Sequence, residues 1–158
     1  MPSILSAACT IRRKQPNDDT FISNLGEEAF AEYSPTAGSQ TLSMSNRKGA
    51  VTLIAERNGS PVGLAILQLG EPLDRPGVAY LHAIAVTAPE RGRGIGRKLL
   101  AKAVGLVRAR GVREIQLSTA DANLAALDLF TKSGFSITKR LEGHYRRGQA
   151  AYLMSKVL

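Results

Sequence analysis

The chain has 158 residues, enough for one domain with a sizeable core, and at 44% hydrophobic and 22% charged it is composed like an ordinary globular protein rather than a disordered one. Its apolar runs are too short to cross a bilayer, residues 1–15 lack the n-region and long h-region of a signal peptide, and the single cysteine, Cys9, cannot form an internal disulfide; the expectation is a cytoplasmic protein with no membrane partner. The formal net charge of +8 fits either a solvated basic surface or a polyanionic ligand, nucleic acid or nucleotide-like.

No internal repeat and no linker divides the chain, so a single domain over residues 1–158 is expected, with its core from about residue 10. Residues 10–15, TIRRKQ, read as a first strand. Residues 18–33 carry Phe21, Ile22, Leu25, Ala29 and Phe30 at helical spacing, with Asp18 or Asp19 as N-cap. Residues 34–49 are the most loop-like stretch, with room for a short helix. Residues 51–69 read as a hairpin turning at Asn58-Gly59. Residues 78–86, VAYLHAIAV, are apolar at nearly every position, as in a strand buried on both faces.

An amphipathic helix follows over 94–111, with Ile95, Leu99, Leu100, Ala103, Leu106 and Val107 on one side and Gly111 as C-cap. Residues 112–119 read as a strand. Residues 123–134 read as a helix with Leu124, Leu127 and Phe130 inward and Gly134 at its end. FSITKRLEGHYRR and QAAYLMSKVL read as two closing strands. Strand, helix, strand in the middle implies a right-handed crossover and a parallel pair, and the hairpins on either side imply antiparallel partners. The expected fold is mixed α/β, with helices on both faces of the sheet.

The stretch RGRGIGRKLL, 91–100, places glycines and arginines at the mouth of a helix. The first N–H groups of a helix lack intrahelical partners, and the helix dipole adds partial positive charge there. A phosphate satisfies both; glycines let the backbone approach it, and arginines supply forked donors. Arg91, Gly92, Arg93, Gly94, Ile95, Gly96 and Arg97 therefore form a candidate pyrophosphate cradle. It is neither a G-x-x-x-x-G-K-S/T loop nor the G-x-G-x-x-G dinucleotide fingerprint. An ordinary tight strand-to-helix turn is the other reading.

LHAIAVTAPERGRGIGRKLL resembles the acetyl-CoA motif of the GCN5-related N-acetyltransferases (GNAT family), an apolar strand followed by Q/R-x-x-G-x-G/A, here Arg91, Gly94 and Gly96. NLAALDLFTKSGF resembles that family's second motif, N-x-x-A-x-x-L-Y/F-x-x-x-G-F. The resemblance implies a GNAT-like, mostly antiparallel sheet whose central parallel pair splays at the cofactor site. It implies acetyl-CoA as acyl donor and a primary amine as acceptor: a small amine, a protein N-terminus or a lysine. It also implies that backbone groups of Ile84, Ala85 and Val86 grip the pantetheine arm and the thioester. Asn123 matches the motif asparagine bordering the cofactor, and serves equally as a helix N-cap. The family often forms homodimers.

Acetyl transfer to an amine needs a neutral amine, stabilisation of the carbonyl oxygen and protonation of the leaving thiolate. His82 is the candidate base, with a core histidine as the other reading. YLHAIAV resembles the corresponding strand of arylalkylamine N-acetyltransferases; His82 keeps the second of two histidines and Tyr80 stands at the first. Strand alternation puts Tyr80 and His82 on one face. Many relatives carry an acidic Tyr in the second motif where this chain has Phe130, which can only pack against the cofactor or the core. Tyr145 and Ser118 are the substitutes. GHYRRGQAAYLM resembles the ending of RimI-like enzymes, with His144 and Tyr145 as the aromatic pair and Ala150 replacing an acidic residue, or it is a plain hairpin.

Glu27, Glu28 and Glu32 form either an acidic patch on the acceptor side or a solvated helix face. The chain is expected to be an N-acetyltransferase acting in a ternary complex, with no metal. The alternative is an acyl-CoA-binding module of the same fold with little turnover. Nucleic-acid binding is disfavoured, since aromatics are 5% of residues and no reading motif is present.

Overall fold

The computed structural model describes residues 8–70 and 77–158. The apolar start over residues 1–7, read above for a signal peptide, lies outside the described residues.

Seven strands form one sheet in the order β1-β2-β3-β4-β5-β7-β6. They are β1 (Thr10–Arg13), β2 (Ala50–Arg57), β3 (Ser60–Gln68), β4 (Val78–Val86), β5 (Glu114–Ala120), β6 (Ser136–Leu141) and β7 (Ala151–Val157). Four α-helices accompany them: α1 (Asp19–Phe30), α2 (Ala37–Ser45), α3 (Ile95–Ala109) and α4 (Leu124–Lys132). The β4–β5 pair is parallel and every other pair is antiparallel, the mixed topology the sequence implied. Helix α2 lies in the stretch read as loop-like.

The sheet is covered on both faces. Ile22 and Leu25 of α1 pack on Ile54, Leu64, Ile66, Ala83 and Ala85. Ile95, Leu99, Leu100, Ala103 and Val107 of α3, with Phe130 of α4, pack on Leu53, Ala65, Leu67, Ala79 and Leu81 of the other face. Each large side chain so buried contributes about 1.5–3 kcal/mol, which fixes α3 against the sheet. The sequence spacing puts Leu124 inward; it is instead 73% exposed, at the first turn of α4.

Several ends follow their sequence signals. Asn58 and Gly59 take φ of 54° and 76°, the geometry of a two-residue hairpin turn. Helix α3 closes with Gly111 N–H to Arg108 O and Val112 N–H to Val107 O, and α4 closes in the same way with Gly134 N–H to Thr131 O and Phe135 N–H to Phe130 O. Asp18 precedes α1, but its carboxylate makes no cap to that helix. It is buried instead against Arg12 at 2.8 and 2.9 Å and accepts the Gln15 N–H at 2.7 Å, which ties β1 to the start of α1.

Candidate active site

The site is built where β4 leaves β5. The parallel ladder pairs Val78–Leu81 with Glu114–Leu117 and then stops. Beyond Leu81 the β5-facing edge of β4 has no ladder partner, so its backbone groups are available to a ligand.

The other side of β4 shows why it turns away. Leu67 of β3 pairs with Leu81 and Ile66 pairs with Ala83, so His82 is the extra residue of a β-bulge. The bulge reverses the phase of the strand. Ala79 and Leu81 belong to the α3-side core, whereas Ala83 and Ala85, also at odd positions, belong to the α1-side core. Simple alternation placed Tyr80 and His82 on one face; with the bulge between them and the rest of β4, their rings still lie together, centroids 5.1 Å apart.

A chamber of about 380 Å³ opens at this splay. Its floor includes Tyr80, His82 and Ile84 of β4 with Ser118 and Thr119 of β5. Phe30 and Tyr33 wall it from the end of α1, Thr41 and Met44 from α2, and His144, Tyr145 and Arg146 from the β6–β7 connection. That connection is fastened across the opening. Arg147 Nε donates to Ala31 O at 3.0 Å, Gln149 Nε2 donates to Glu32 O at 2.6 Å, and the Tyr33 and Tyr145 rings stand 4.9 Å apart. The carbonyls at the end of α1 lack helical partners, so these donors cap the helix while closing the chamber.

A second cleft of about 550 Å³ runs from the splay to the start of α3. Ile84, Ala85, Val86, Arg91, Gly92, Gly94, Ile95, Gly96 and Asn123 line it. Gly94 is the N-cap of α3 with φ of 81°, left-handed backbone that a side chain resists. No atom lies within 4 Å of where a Cβ would stand on Gly92 or Gly94, so the cradle is open. Arg91 Nε donates to Val86 O at 3.0 Å, which holds the turn against the end of β4. The chemistry suits a pyrophosphate: free N–H groups, the helix dipole and the Arg91 guanidinium meet on an open surface.

Three of the candidate cofactor-binding residues lie outside the cleft lining. Arg93 and Arg97 do not line the cleft; Arg93 lies 3.8 Å from Glu90. Phe130 lines the chamber rather than the cleft and is 4% exposed, its ring 5.8 Å from that of Phe135. It is the seventh residue of α4, at the end of the second turn, and is buried in the core. Asn123 lines both cavities, and its Oδ1 accepts the Ala126 N–H at 3.2 Å, so it caps α4 as well. Glu28 of α1 accepts the Ala88 N–H at 3.3 Å, Glu32, just past the end of α1, lines the cleft, and neither they nor Glu27 line the chamber.

Ionisation follows burial. His82 is pushed down to about 4, first by burial and then by the charge of Arg47, and its Nε2 is buried with no hydrogen-bond partner among the described residues. His82 is therefore neutral, and it is one of the residues that line the chamber. Burial raises Tyr145 well above the ordinary phenol range, with Tyr80 and Tyr33 adding to the effect, so its proton is retained at neutral pH. Burial raises Tyr80 too, opposed by its hydrogen bond to Ser118 at 2.6 Å. Among the described residues no group of three or more His, Cys, Asp or Glu is placed to hold a metal ion, and no helix is long and apolar enough to cross a membrane.

The α2 wall escaped the sequence reading. Ala37, Thr41 and Met44 stand at i, i+4 and i+7, the spacing that marks a helix face, but Gly, Ser and Thr neighbours hide it. Arg146 lies within GHYRRGQAAYLM, where the resemblance gives it no role.

The family model described as the acetyltransferase (GNAT) family matches residues 18–135. A mycothiol acetyltransferase of Thermobispora bispora is 32% identical over 122 residues, 71% of this chain and 41% of that protein. The N-alpha-acetyltransferase MAK3 of Arabidopsis thaliana is 30% identical over 99 residues, 63% of this chain and 52% of that protein. The chain thus spans about half the length of these curated relatives, 41% and 52%. The crystal structure of a ribosomal-protein-alanine N-acetyltransferase from Brucella melitensis superposes with a TM-score of 0.81 at 26% identity, over 94% of this chain and 99% of that one.

Proposed function

The chain belongs to the acetyltransferase (GNAT) family, and we propose that it is an N-acetyltransferase that moves the acetyl group of acetyl-CoA to a primary amine by direct attack with both substrates bound. The observation that carries this reading is the meeting of the two cavities: Phe30, Tyr33, Ile84, Asn123 and Ala126 line both, at the splay of β4 from β5.

Acetyl-CoA, when bound, supplies an acyl group activated as a thioester. Arg91 and the N–H groups at the start of α3 hold its phosphates, and the free edge of β4 near Ile84, Ala85 and Val86 aligns the pantetheine arm and stabilises charge on the thioester oxygen. The acceptor amine enters the chamber, where His82 Nε2 accepts its proton as the C–N bond forms, directly or through water. Tyr145, which keeps its proton, donates a hydrogen bond to sulfur as the C–S bond breaks, and the proton taken from the amine leaves on the CoA thiol. Burial among Phe30, Met44 and Leu117 limits water and strengthens each polar contact.

Release of CoA thiol from acetyl-CoA against a panel of small amines, peptides and lysine-bearing proteins tests the reading. Amine-dependent release supports it. Thermal stabilisation by acetyl-CoA without release from any acceptor would make the chain a cofactor-binding module instead.

A further inference from the structure

The two halves of the site differ in charge. The donor cleft contains Glu32 and Glu90 beside Arg91. The chamber lining contains no Asp or Glu among the described residues, and it does contain Arg146. A second guanidinium stands close by: Arg47 comes one helical turn after the chamber residue Met44, its N–H donating to Met44 O at 3.4 Å, and its charge is felt at His82. Both arginines are exposed, and neither has an ion-pair partner among the described residues. The chain's other arginines near the site are engaged: Arg91 on Val86 O, Arg147 on Ala31 O.

An acceptor with several ammonium groups would bring like charge against Arg47 and Arg146, and the carboxylates of Glu32 and Asp121, which act on Tyr33, stand outside the chamber lining. An acceptor with a carboxylate would meet two unpaired forked donors. Size points the same way. The Arg147 and Gln149 bonds to the end of α1 close the outer side of the chamber, and its volume of about 380 Å³ must hold the acyl end of the donor as well as the acceptor.

We propose that the acceptor is a small aminocarboxylate of amino-acid size, its amine directed at His82 and its carboxylate held by Arg146 and Arg47. This rests on the acetyltransferase reading of the same site. The arrangement also favours reaction, since nearby guanidiniums disfavour the ammonium form of the bound amine and leave more of it as the neutral nucleophile. The amine gains the acetyl group and loses one proton, and CoA leaves as the thiol, so nothing else is consumed.

The test compares CoA release with free glutamate, aspartate and glycine, their carboxamides, spermidine, and a short peptide beginning with an acidic residue. The expected result is a kcat/KM for a free amino acid at least about ten-fold above that of its carboxamide, the size of one charge-assisted pairing. Arg146→Ala and Arg47→Ala should each raise KM for the amino acid about ten-fold without changing KM for acetyl-CoA, and Arg146→Lys should recover part of the loss. Equal or better use of the carboxamides or spermidine would overturn the inference and leave the acetyltransferase standing. Use of the peptide alone would overturn the size argument in the same way. Release with none of these and with no other amine would defeat the acetyltransferase reading itself.

Discussion

Tyr80 Oη and Ser118 Oγ lie 2.6 Å apart, one residue beyond the last β5 partner in the parallel ladder. This bond joins β4 to β5 just where the backbone pairing ends, so it sets how far the strands open. Either oxygen can donate in this bond, so the comparison of Ser118 with Tyr145, the donor assigned to sulfur, is made by substitution. Tyr145→Phe should lower kcat about a hundred-fold, within the span of general acid catalysis, while Ser118→Ala costs under about ten-fold. Comparable losses in both variants would return Ser118 to the role.

His82 gives a pH prediction with a definite sign. Its folded value, lowered from 6.5 to about 4, means that it carries no charge at neutral pH. The rise of kcat/KM with pH should therefore follow the amine of the acceptor, near ~8 for an α-amine and ~10.4 for a lysine, with no limb near the ordinary histidine value. A limb near that value that vanishes in His82→Gln would place the base differently.

The same shift governs stability. The unfolded chain takes up the His82 proton below about 6.5 and the folded chain resists it down to about 4. Stability is full above the unfolded value and declines as pH falls through this window, by about 2 kcal/mol after allowance for solvent screening. Urea melts of wild type and His82→Gln across that range should differ in slope; parallel curves would show that the histidine is not held neutral.

Gly94 tests the cradle. With φ of 81° at the head of α3, Gly94→Ala strains the backbone by about 1–2 kcal/mol and tilts the N–H groups that hold phosphate. KM for acetyl-CoA should rise about ten-fold with the acceptor KM unchanged. A rise in the acceptor KM alone would move the phosphate site elsewhere.

Gly26 tests the chamber wall. A Cβ there would stand 2.4 Å from Thr41 Oγ1, and Thr41 is itself buried with its hydroxyl donating to Ala37 O at 2.8 Å. Gly26→Ala should push α2 from α1, cost about 1–3 kcal/mol, and raise the acceptor KM more than the donor KM. An unchanged melting temperature would mean that the helices adjust freely.

The sheet, its crossover and the cradle were legible because each rests on local signals: the VAYLHAIAV run, the Asn58-Gly59 turn, and Arg91, Gly94 and Gly96 before an amphipathic helix. What escaped depends on partners distant in the chain. Asp18 reads as a helix cap until Arg12 is seen beside it. Phe130 reads as packing against the cofactor or the core, and its place beside Phe135 depends on the fold. The bulge at His82 leaves no mark on an apolar run, since both phases of β4 are apolar, and Arg146 becomes notable only when the chamber around it proves to lack a carboxylate.

The central claim is direct transfer between two substrates held in one continuous cleft. Cys9, the one cysteine, lines neither cavity, and the shared wall lets donor and acceptor meet without an acylated residue between them. Initial velocities of CoA release, measured over a matrix of acetyl-CoA and acceptor concentrations, test this most directly. The account predicts intersecting double-reciprocal lines; parallel lines, with an acetylated protein isolated in the absence of acceptor, would contradict it.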